Sequence, residues 1–184
     1  MALTLCIGGG LIGCSTAPET RADKRELTSD AQQALQQMKR VDRSVASMLD
    51  TAHGYAIFPT AGKGGAIVGG AFGRGEVFEQ GRFIGYAKIE QATVGAQIGG
   101  QEFSELIVFE NAAAMNKFKN NEYSAAANAT AVILKEGVGV TTQFRDGVAT
   151  FVHPKAGAMA EAAIGGQKFT FQPASERVKE NRND

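Results

Sequence analysis

The sequence predicts an α+β fold: a strongly curved or barrel-like antiparallel β-sheet, braced by an N-terminal amphipathic helix and one or two short helices. The stretch from Gly54 to Glu110 holds thirteen of the 23 glycines, yet short apolar runs recur in it between turn signals, which is typical of successive strands. Glycines inside strand patterns mark bulges, bends or close backbone approach. A chain of 184 residues with 43% hydrophobic residues suffices for one domain with a sizeable core.

The apolar runs of this stretch predict four strands. Two phosphate-binding motifs are partly present in the same stretch, but each lacks a required residue. Lys63 lies in a glycine-rich turn, but Ile57 stands where a Walker loop needs glycine and Gly64 follows the lysine where Ser or Thr is required. The segment from Gly62 to Ile67 lacks the last glycine of a dinucleotide fingerprint. The four predicted strands are Tyr55–Phe58, Ala66–Phe72, Phe83–Ile89 and Leu106–Phe109.

An amphipathic pattern before the first strand predicts a helix over Asp30–Ala52. Ser29 and Gln32 have the spacing of a capping box, and Gly54 stands where a helix C-cap falls. Apolar residues recur at three- and four-residue steps and form one stripe. They are Leu35, Met38, Val41, Val45, Met48, Leu49 and Ala52.

The polar side of this helix is basic. The hypothesis for Lys39, Arg40 and Arg43 is a patch that contacts anionic head groups, at about 1 kcal/mol per charge. The alternative is an ordinary solvated face on which Asp42 and Asp50 dilute the charge.

The N-terminal segment has the character of a secretory signal. Met1–Gly13 is apolar and ends in small residues, and the run from Leu11 to Cys14 resembles the lipobox of bacterial lipoproteins. That resemblance implies cleavage before Cys14 and lipidation of Cys14, for example by palmitate. The alternative is that this segment is a strand or helix of the domain. No Lys or Arg precedes the apolar run, so the natural start codon is also open.

The predicted domain organisation has four parts. Residues 1–13 form the signal peptide, 14–28 the acylated cysteine and a flexible tether broken by Pro18, 29–173 the folded domain, and 174–184 a charged tail. No run of 18 apolar residues predicts a transmembrane helix. Zero net charge disfavours nucleic acid, and two cysteines confined to the first fourteen residues exclude a disulfide framework or a Cys-based metal site in the domain.

The second half of the chain predicts a short helix and further strands. Asn111 suits the N-cap of a helix over Ala112–Phe118. The segment Tyr123–Leu134 is Ala-rich, so helix and strand both stay open, with the strand favoured. Arg145–Val148 contains the Asp-Gly pair of a hairpin turn. The remaining predicted strands are Val140–Phe144, Val148–Val152, Ala156–Ile164 and Lys168–Phe171.

An ordered series of motifs resembles the SYLF domain, a lipid-binding family, over about Leu35 to Phe171. The series begins at Leu49–Pro59 and ends in the helix that follows the last of these motifs. The others are Lys63–Gly70, Gly73–Val77, Ala92–Gln101 and Leu106–Asn111.

This resemblance implies a bacterial lipoprotein that binds phospholipid. Ser15 after Cys14 resembles the pattern of lipoproteins sorted to the outer membrane, so the implied location is the cell envelope. The Trp-containing segment of eukaryotic members is missing here, where Phe83–Lys88 stands and the chain has no Trp. Actin binding, known for eukaryotic members, is therefore not carried over.

The sequence carries no catalytic motif, which predicts a non-enzyme without a cofactor or metal. His53 at the predicted helix end is expected to cap carbonyls, and His153 to lie solvated in a loop before Pro154. Neither a nucleophile elbow nor a zinc-binding His-Glu-x-x-His helix occurs. Four glutamates are expected to be strand-edge or turn charges: Glu76, Glu79, Glu102 and Glu105.

Basic residues near the turns of the glycine-rich sheet are the predicted lipid contacts. Glycine lets backbone amides approach a phosphate, and a nearby Lys or Arg supplies the charge. The alternative is ordinary hairpin charges that keep sheet edges soluble. The residues are Lys63, Arg74, Arg82 and Lys88. A second function stays open: an envelope structural or interaction protein that docks a protein or cell-wall partner and binds no lipid beyond its own anchor.

Overall fold

A computed structural model describes residues 16–64, 68–94, 101–125, 131–134, 143–155 and 167–174, with only the backbone at 63–64, 68–71, 91–94, 101 and 125. The predicted signal peptide and Cys14 lie outside these residues. The described residues form three helices and eight strands. In chain order they are α1 Arg21–Val41, α2 Arg43–Thr51, β1 Gly54–Gly64, β2 Val68–Glu79, β3 Arg82–Val94, β4 Gln101–Phe109, α3 Ala112–Lys119, β5 Ser124–Ala125, β6 Val132–Ile133, β7 Val148–Pro154 and β8 Gln167–Pro173.

The strands form one sheet in the order β5-β8-β3-β2-β1-β4-β7-β6, so the α+β class is confirmed. Of the two predicted forms, strongly curved or barrel-like, the barrel-like one is not confirmed, and the sheet is mixed rather than antiparallel. In the described part of the chain the two end strands, β5 and β6, do not pair with each other. β6 also runs parallel to β7, whereas the other pairs are antiparallel.

Each face of the sheet has its own apolar core. Leu106 and Ile107 are both fully buried and, as neighbours in a strand, point to opposite faces. Ile107 belongs to the cluster that α3 covers with Met115 and Phe118. Leu106 belongs to the cluster covered by α1 and α2, and that face is here named the helix face.

The single helix predicted over Asp30–Ala52 is not confirmed, because the chain forms two helices that meet at Asp42. The backbone N–H of Asp42 caps α1 by donating to Met38 O, and its carboxylate caps α2 by accepting from Ser44 N at 2.8 Å. The predicted capping box at Ser29 was wrong too, since that residue lies inside α1. Gly54 opens β1 rather than capping a helix.

The predicted tether over 14–28 was wrong from Thr16 onward. Thr16, Ala17 and Pro18 are buried, and α1 already begins at Arg21. Thr20 forms a capping box with Asp23: its hydroxyl oxygen accepts from Asp23 N at 3.1 Å, while its own N–H donates to Asp23 Oδ2 at 3.2 Å. The folded domain therefore starts before residue 29.

The four predicted strands of the glycine-rich stretch are confirmed over their described residues as parts of β1 to β4. β1 is bulged between Ile57 and Thr60 against β2, and Pro59, which has no N–H to donate, lies in that bulge. A Cβ on Gly75 would collide with Ile57 O and the Phe58 ring. Glycine here permits close approach of the backbone.

In the second half, the predicted short helix, the turn at Asp146 and the strands that became β7 and β8 are confirmed. The single strand favoured over Tyr123–Leu134 is not confirmed, because β5 and β6 lie at opposite ends of the sheet, and the described residues 143–144 of the predicted strand Val140–Phe144 lie in no strand. Asn111 caps α3 by accepting from Ala114 N at 3.0 Å. Asp146 and Gly147 have φ of 52° and 77°, as a tight hairpin turn requires, and Arg145 bridges to Val148. Tyr123–Leu134 contributes the short β5 and β6. Residues 126–130, most of the predicted strand Val140–Phe144, the strand Ala156–Ile164 and the tail from residue 175 lie outside the described residues.

Candidate functional site

Four aromatic rings line up on the helix face at the end of the β2–β3 hairpin. Tyr55 stacks on Phe78 with ring centroids 4.8 Å apart, Phe78 meets Phe83 at 5.8 Å, and Phe83 meets Tyr86 edge-on at 5.1 Å. We name Tyr55, Phe78, Phe83 and Tyr86 the aromatic corner. The Phe83 side chain is the outermost, because 40% of this residue remains exposed.

The aromatic corner has basic neighbours and borders the first described residues of the chain. Lys24 Nζ of α1 lies 5.8 Å from the Tyr86 ring centroid, and the exposed Arg82 directly precedes Phe83. The backbone N–H of Ala17 donates to Gln172 Oε1 at 3.1 Å, and Gln172 is the strand partner of Tyr86. Ala17 is thereby held beside the corner.

A polar cleft of about 910 Å³ separates α1 from the sheet on the same face. Its helix side carries Gln33, Gln37 and Arg40, and its sheet side carries Ser104, His153 and Lys155. We name this cavity the polar cleft. Because α1 lies beside Tyr86 of β3 near its start and reaches His153 of β7 near its end, the helix crosses the sheet and meets both regions.

The polar groups of the cleft are only partly engaged with one another. Ser104 Oγ donates to Pro59 O at 2.7 Å, and Lys155 Nζ donates to Thr60 Oγ1 at 2.6 Å. Arg40 Nη2 donates to Gln37 Oε1 at 2.6 Å. The buried Nδ1 of His153 has no hydrogen-bond partner among the described residues. A lysine ammonium and an arginine guanidinium retain further N–H donors after one bond each.

The structure does not gather the seven predicted basic residues into one patch. Lys39, Arg40 and Arg43 lie around the junction of α1 and α2, and of these Arg40 lines the cleft. Arg82 lies at the aromatic corner. Of Lys63 in β1, the structure describes only the backbone.

Arg74 and Lys88 form a separate pair in the sheet. They face each other across β2 and β3. Arg74 lies 5.7 Å from the centroid of the exposed Phe72 ring, and Lys88 Nζ is paired with Glu90 Oε1 at 3.0 Å. The lipid contacts predicted for these residues remain predictions.

Two of the four glutamates are not the edge or turn charges that the sequence predicted. Glu76 is buried under α1, where Thr28 Oγ1 donates to its Oε1 at 2.6 Å. Burial raises the pKa of Glu76, and the Thr28 hydroxyl opposes that rise. Glu105 is fully buried in the opposite core and accepts from Gln167 Nε2 at 2.9 Å. Interior charge of this kind escapes sequence reasoning, because strand alternation alone does not say which face a helix will cover.

The Glu105 carboxylate influences one neighbouring tyrosine. Burial raises the pKa of Tyr123, a hydrogen bond with Thr150 lowers it, and the charge of Glu105 adds to the rise. Neither residue lines the polar cleft or belongs to the aromatic corner, so this interior group serves the core.

The two histidines also differ from their predicted roles. His53 does not cap a helix with its ring: His53 Nε2 lies 3.2 Å from Glu79 Oε1. Lys119 Nζ of α3 donates to both oxygens of the same carboxylate, and this bonding lowers the pKa of Glu79. His153 lies in β7 rather than in a solvated loop. Within the part of the chain that the structure describes, no group of His, Cys, Asp or Glu is arranged to hold a metal ion.

Lys155 and the aromatic corner were not predicted from the sequence. The corner could have been predicted from the sequence, because Phe78 and Phe83 lie on either side of the Gln80–Gly81 turn and must meet across the hairpin. The position of Lys155 could not have been predicted, because it follows from the pairing of β7 with β4. Among the described helices, none is both long and apolar enough to cross a bilayer.

Comparison with known proteins gives one distant relative. No protein-family profile matches the chain. Beta cell expansion factor A of Aeromonas veronii is 26% identical over 155 residues, which are 83% of this chain and 59% of that protein. The chain thus spans about three fifths of the relative's length. The relative's name refers to the expansion of beta cells and names no ligand or reaction, and the likeness is too distant to show a family.

Proposed function

We propose that this protein is a non-catalytic bacterial lipoprotein of the cell envelope, tethered to the outer membrane through Cys14, whose SYLF-like domain binds phospholipid. The observation that carries the proposal is the aromatic corner with its exposed Phe83 and adjacent Arg82. Aromatic rings favour the membrane–water interface, and Lys or Arg near an anionic surface contributes about 1 kcal/mol per charge.

The position of Ala17 also supports contact between the aromatic corner and a membrane. Cys14 precedes Ala17 by three positions, and three residues of extended chain reach at most about 10 Å. Since Ala17 is hydrogen-bonded to Gln172 beside Tyr86, an acyl chain on Cys14 would enter the bilayer close to the aromatic corner. Anchor and corner would then contact one membrane together.

Vesicle flotation tests this function. The chain from Ser15 onward, which keeps every described residue and lacks the lipid, is floated with anionic and with zwitterionic vesicles at low and high salt. We expect selective binding to anionic vesicles that weakens with salt. Phe83→Ser should weaken binding about tenfold, because a partly buried phenyl ring contributes on the order of 1.5 kcal/mol.

Phe72→Ser is the matched control. Phe72 is 47% exposed but lies in β2 away from the corner, so its loss should leave flotation unchanged. An equal loss in both variants, or no flotation of the parent chain, would contradict the proposal.

The second candidate function uses the same surface. An exposed aromatic cluster also fits a protein partner, as in an envelope interaction protein that docks a protein or cell-wall component. That function predicts indifference to vesicles and a stable partner in pull-downs that Phe83→Ser abolishes.

A further inference from the structure

We infer that the polar cleft is a binding site for a phosphate group, held by Arg40 and Lys155 with His153 at the sheet side. This inference goes beyond the aromatic corner, because the two regions share no residue. It rests on the proposed function in one respect: the phosphate ester tested first is a phospholipid head group.

The size and lining of the cleft fit a small polar ligand. A volume of about 910 Å³ lies in the range of ligand pockets, which span about 300–1,000 Å³. The lining is rich in serine and glutamine, so a purely apolar ligand would leave these groups without partners. The ligand must therefore present oxygen or nitrogen atoms.

The charge of the lining favours an anion. Arg40 and Lys155 lie across the cleft from each other, one on α1 and one just after β7, and Asp30 is the single carboxylate among the lining residues that the structure describes. Guanidinium and ammonium groups on two sides of a cavity suit a phosphate, whose oxygens accept several charge-assisted hydrogen bonds at once.

The hydrogen bonds inside the protein leave donors for such a ligand. Lys155 Nζ donates to Thr60, which holds the ammonium in place and leaves two of its protons. Arg40 is held in the same way by Gln37. Ser104 donates its proton to Pro59 O, so it offers an acceptor but no donor.

The imidazole of His153 provides a separate indication. Its Nδ1 is buried and has no hydrogen-bond partner among the described residues, although buried polar atoms nearly always have one. Because this nitrogen is closed to solvent, a ligand oxygen in the cleft could accept from it only after the imidazole turns toward the cleft. This buried nitrogen is unexplained by the packing of β7 alone.

The test is calorimetric titration of the full chain carrying Cys14→Ser, which prevents acylation. Three ligands are compared: glycerophosphoglycerol, inorganic phosphate, and dihexanoyl phosphatidylglycerol below its micelle concentration. Binding of glycerophosphoglycerol should weaken at least about tenfold in the double variant Arg40→Gln/Lys155→Gln, because bonds to charged groups are lost. The ¹⁵N resonance of His153 Nδ1 should move when the ligand is added.

Arg43→Gln is the matched control, since it removes an exposed arginine next to the same helix junction but outside the cleft. Its affinity should equal that of the parent. The inference is overturned if none of the three ligands binds, if the double variant binds as the parent does, or if Arg43→Gln loses as much. Tighter binding of the short-chain lipid assigns the site to lipid head groups, and equal binding of inorganic phosphate assigns it to free phosphate.

Vesicle flotation of the same variants separates this inference from the proposed function. If the double variant loses glycerophosphoglycerol but still floats, the cleft binds phosphate and the corner supplies the membrane contact. If the parent floats and binds no soluble ligand, the cleft inference fails and the proposed function stands. If it binds the soluble ligand and does not float, the reverse holds.

Discussion

The aromatic corner and the polar cleft lie on one face of the sheet, about 13 Å apart along β1 from Tyr55 to Pro59, and α1 borders both. They are assembled differently. The corner consists of side chains from the adjacent strands β1, β2 and β3, and a two-residue turn at Gln80 joins β2 to β3. The cleft combines residues far apart in the chain, such as Gln37 and His153.

Because of this difference, most of the corner contributes to the stability of the fold, whereas the cleft residues are available to contact a ligand. Tyr55 and Phe78 pack against the apolar cluster of the helix face and Tyr86 is buried, so most of the corner stabilises the fold and only Phe83 extends outward. The cleft is lined by polar side chains of which Arg40 is exposed, and removing their charges leaves the apolar core intact. Substitutions in the corner should therefore change vesicle binding, and substitutions in the cleft should change the affinity for a soluble ligand.

The largest expected effect is a loss of folding stability that disturbs both regions. Gly75→Ala places a Cβ against Ile57 O and the Phe58 ring in the strands that support both regions, and should lower the free energy of unfolding by about 2–3 kcal/mol. Gly62→Ala is the control, because no atom of the described residues lies within 4 Å of its Cβ position. Urea unfolding should show the control unchanged or slightly stabilised. Equal losses would contradict the packing argument.

The next largest effect is a separate loss of function in each region. Phe83→Ser should reduce vesicle binding about tenfold and leave the affinity for glycerophosphoglycerol unchanged, since the ring is remote from the cleft. Arg40→Gln/Lys155→Gln should do the opposite. Flotation and calorimetry on all variants measure both quantities. A parallel loss of both activities in either variant would show that the regions form one site.

A smaller effect is expected at the start of α1. Thr20→Ala removes the capping box and should cost about 1 kcal/mol. Faster amide exchange should be confined to the first turns, which carry Lys24 beside the corner, while the Arg40 end stays protected. Ser29→Ala, at the position first predicted as the cap, is the control and should leave exchange unaltered. Uniform acceleration along α1 would argue against a local cap.

The smallest effect concerns two carboxylates of β2. Burial raises the pKa of Glu76. Its contribution to folding stability is therefore fully present below its pKa in the unfolded chain, near 4.5, and is lost as the pH rises through its pKa in the folded protein. Lys119 lowers the pKa of Glu79, so its contribution is present above 4.5 and is lost as pH falls through the folded pKa. Urea unfolding from pH 3 to 7 should show that Glu76→Gln gains stability relative to the parent as pH rises, whereas Glu79→Gln loses it. Slopes of the same sign would refute this assignment.

The sequence predicted the corner's scaffold better than the cleft. Strands β1 to β4 follow from short apolar runs and turn residues, which are local signals. The limits of α1 did not follow from its apolar stripe, because its first turns depend on the Thr20 cap and on the bond from Thr28 to Glu76. The spacing of Thr20 and Asp23 was a usable signal, and it was overlooked.

The cleft shows what sequence patterns omit. Ser104 and His153 are neighbours only because β4 pairs with β7 in one register. Pro154 suggested a loop, yet it ends an edge-proximal strand where its missing N–H is tolerated. Arg40 was predicted as a basic residue, and its place opposite Lys155 depends on the helix crossing the sheet.

The bond between Ala17 and Gln172 joins two segments 155 positions apart. β8 is the last strand of the described chain and the neighbour of β3, so the chain must be synthesised at least as far as Gln172 before this bond can form. Until then Ala17 lacks the partner that holds it beside Tyr86. If Cys14 is acylated as we propose, the domain takes its orientation relative to that lipid only after this bond has formed, and a chain truncated before Gln172 would lack that orientation.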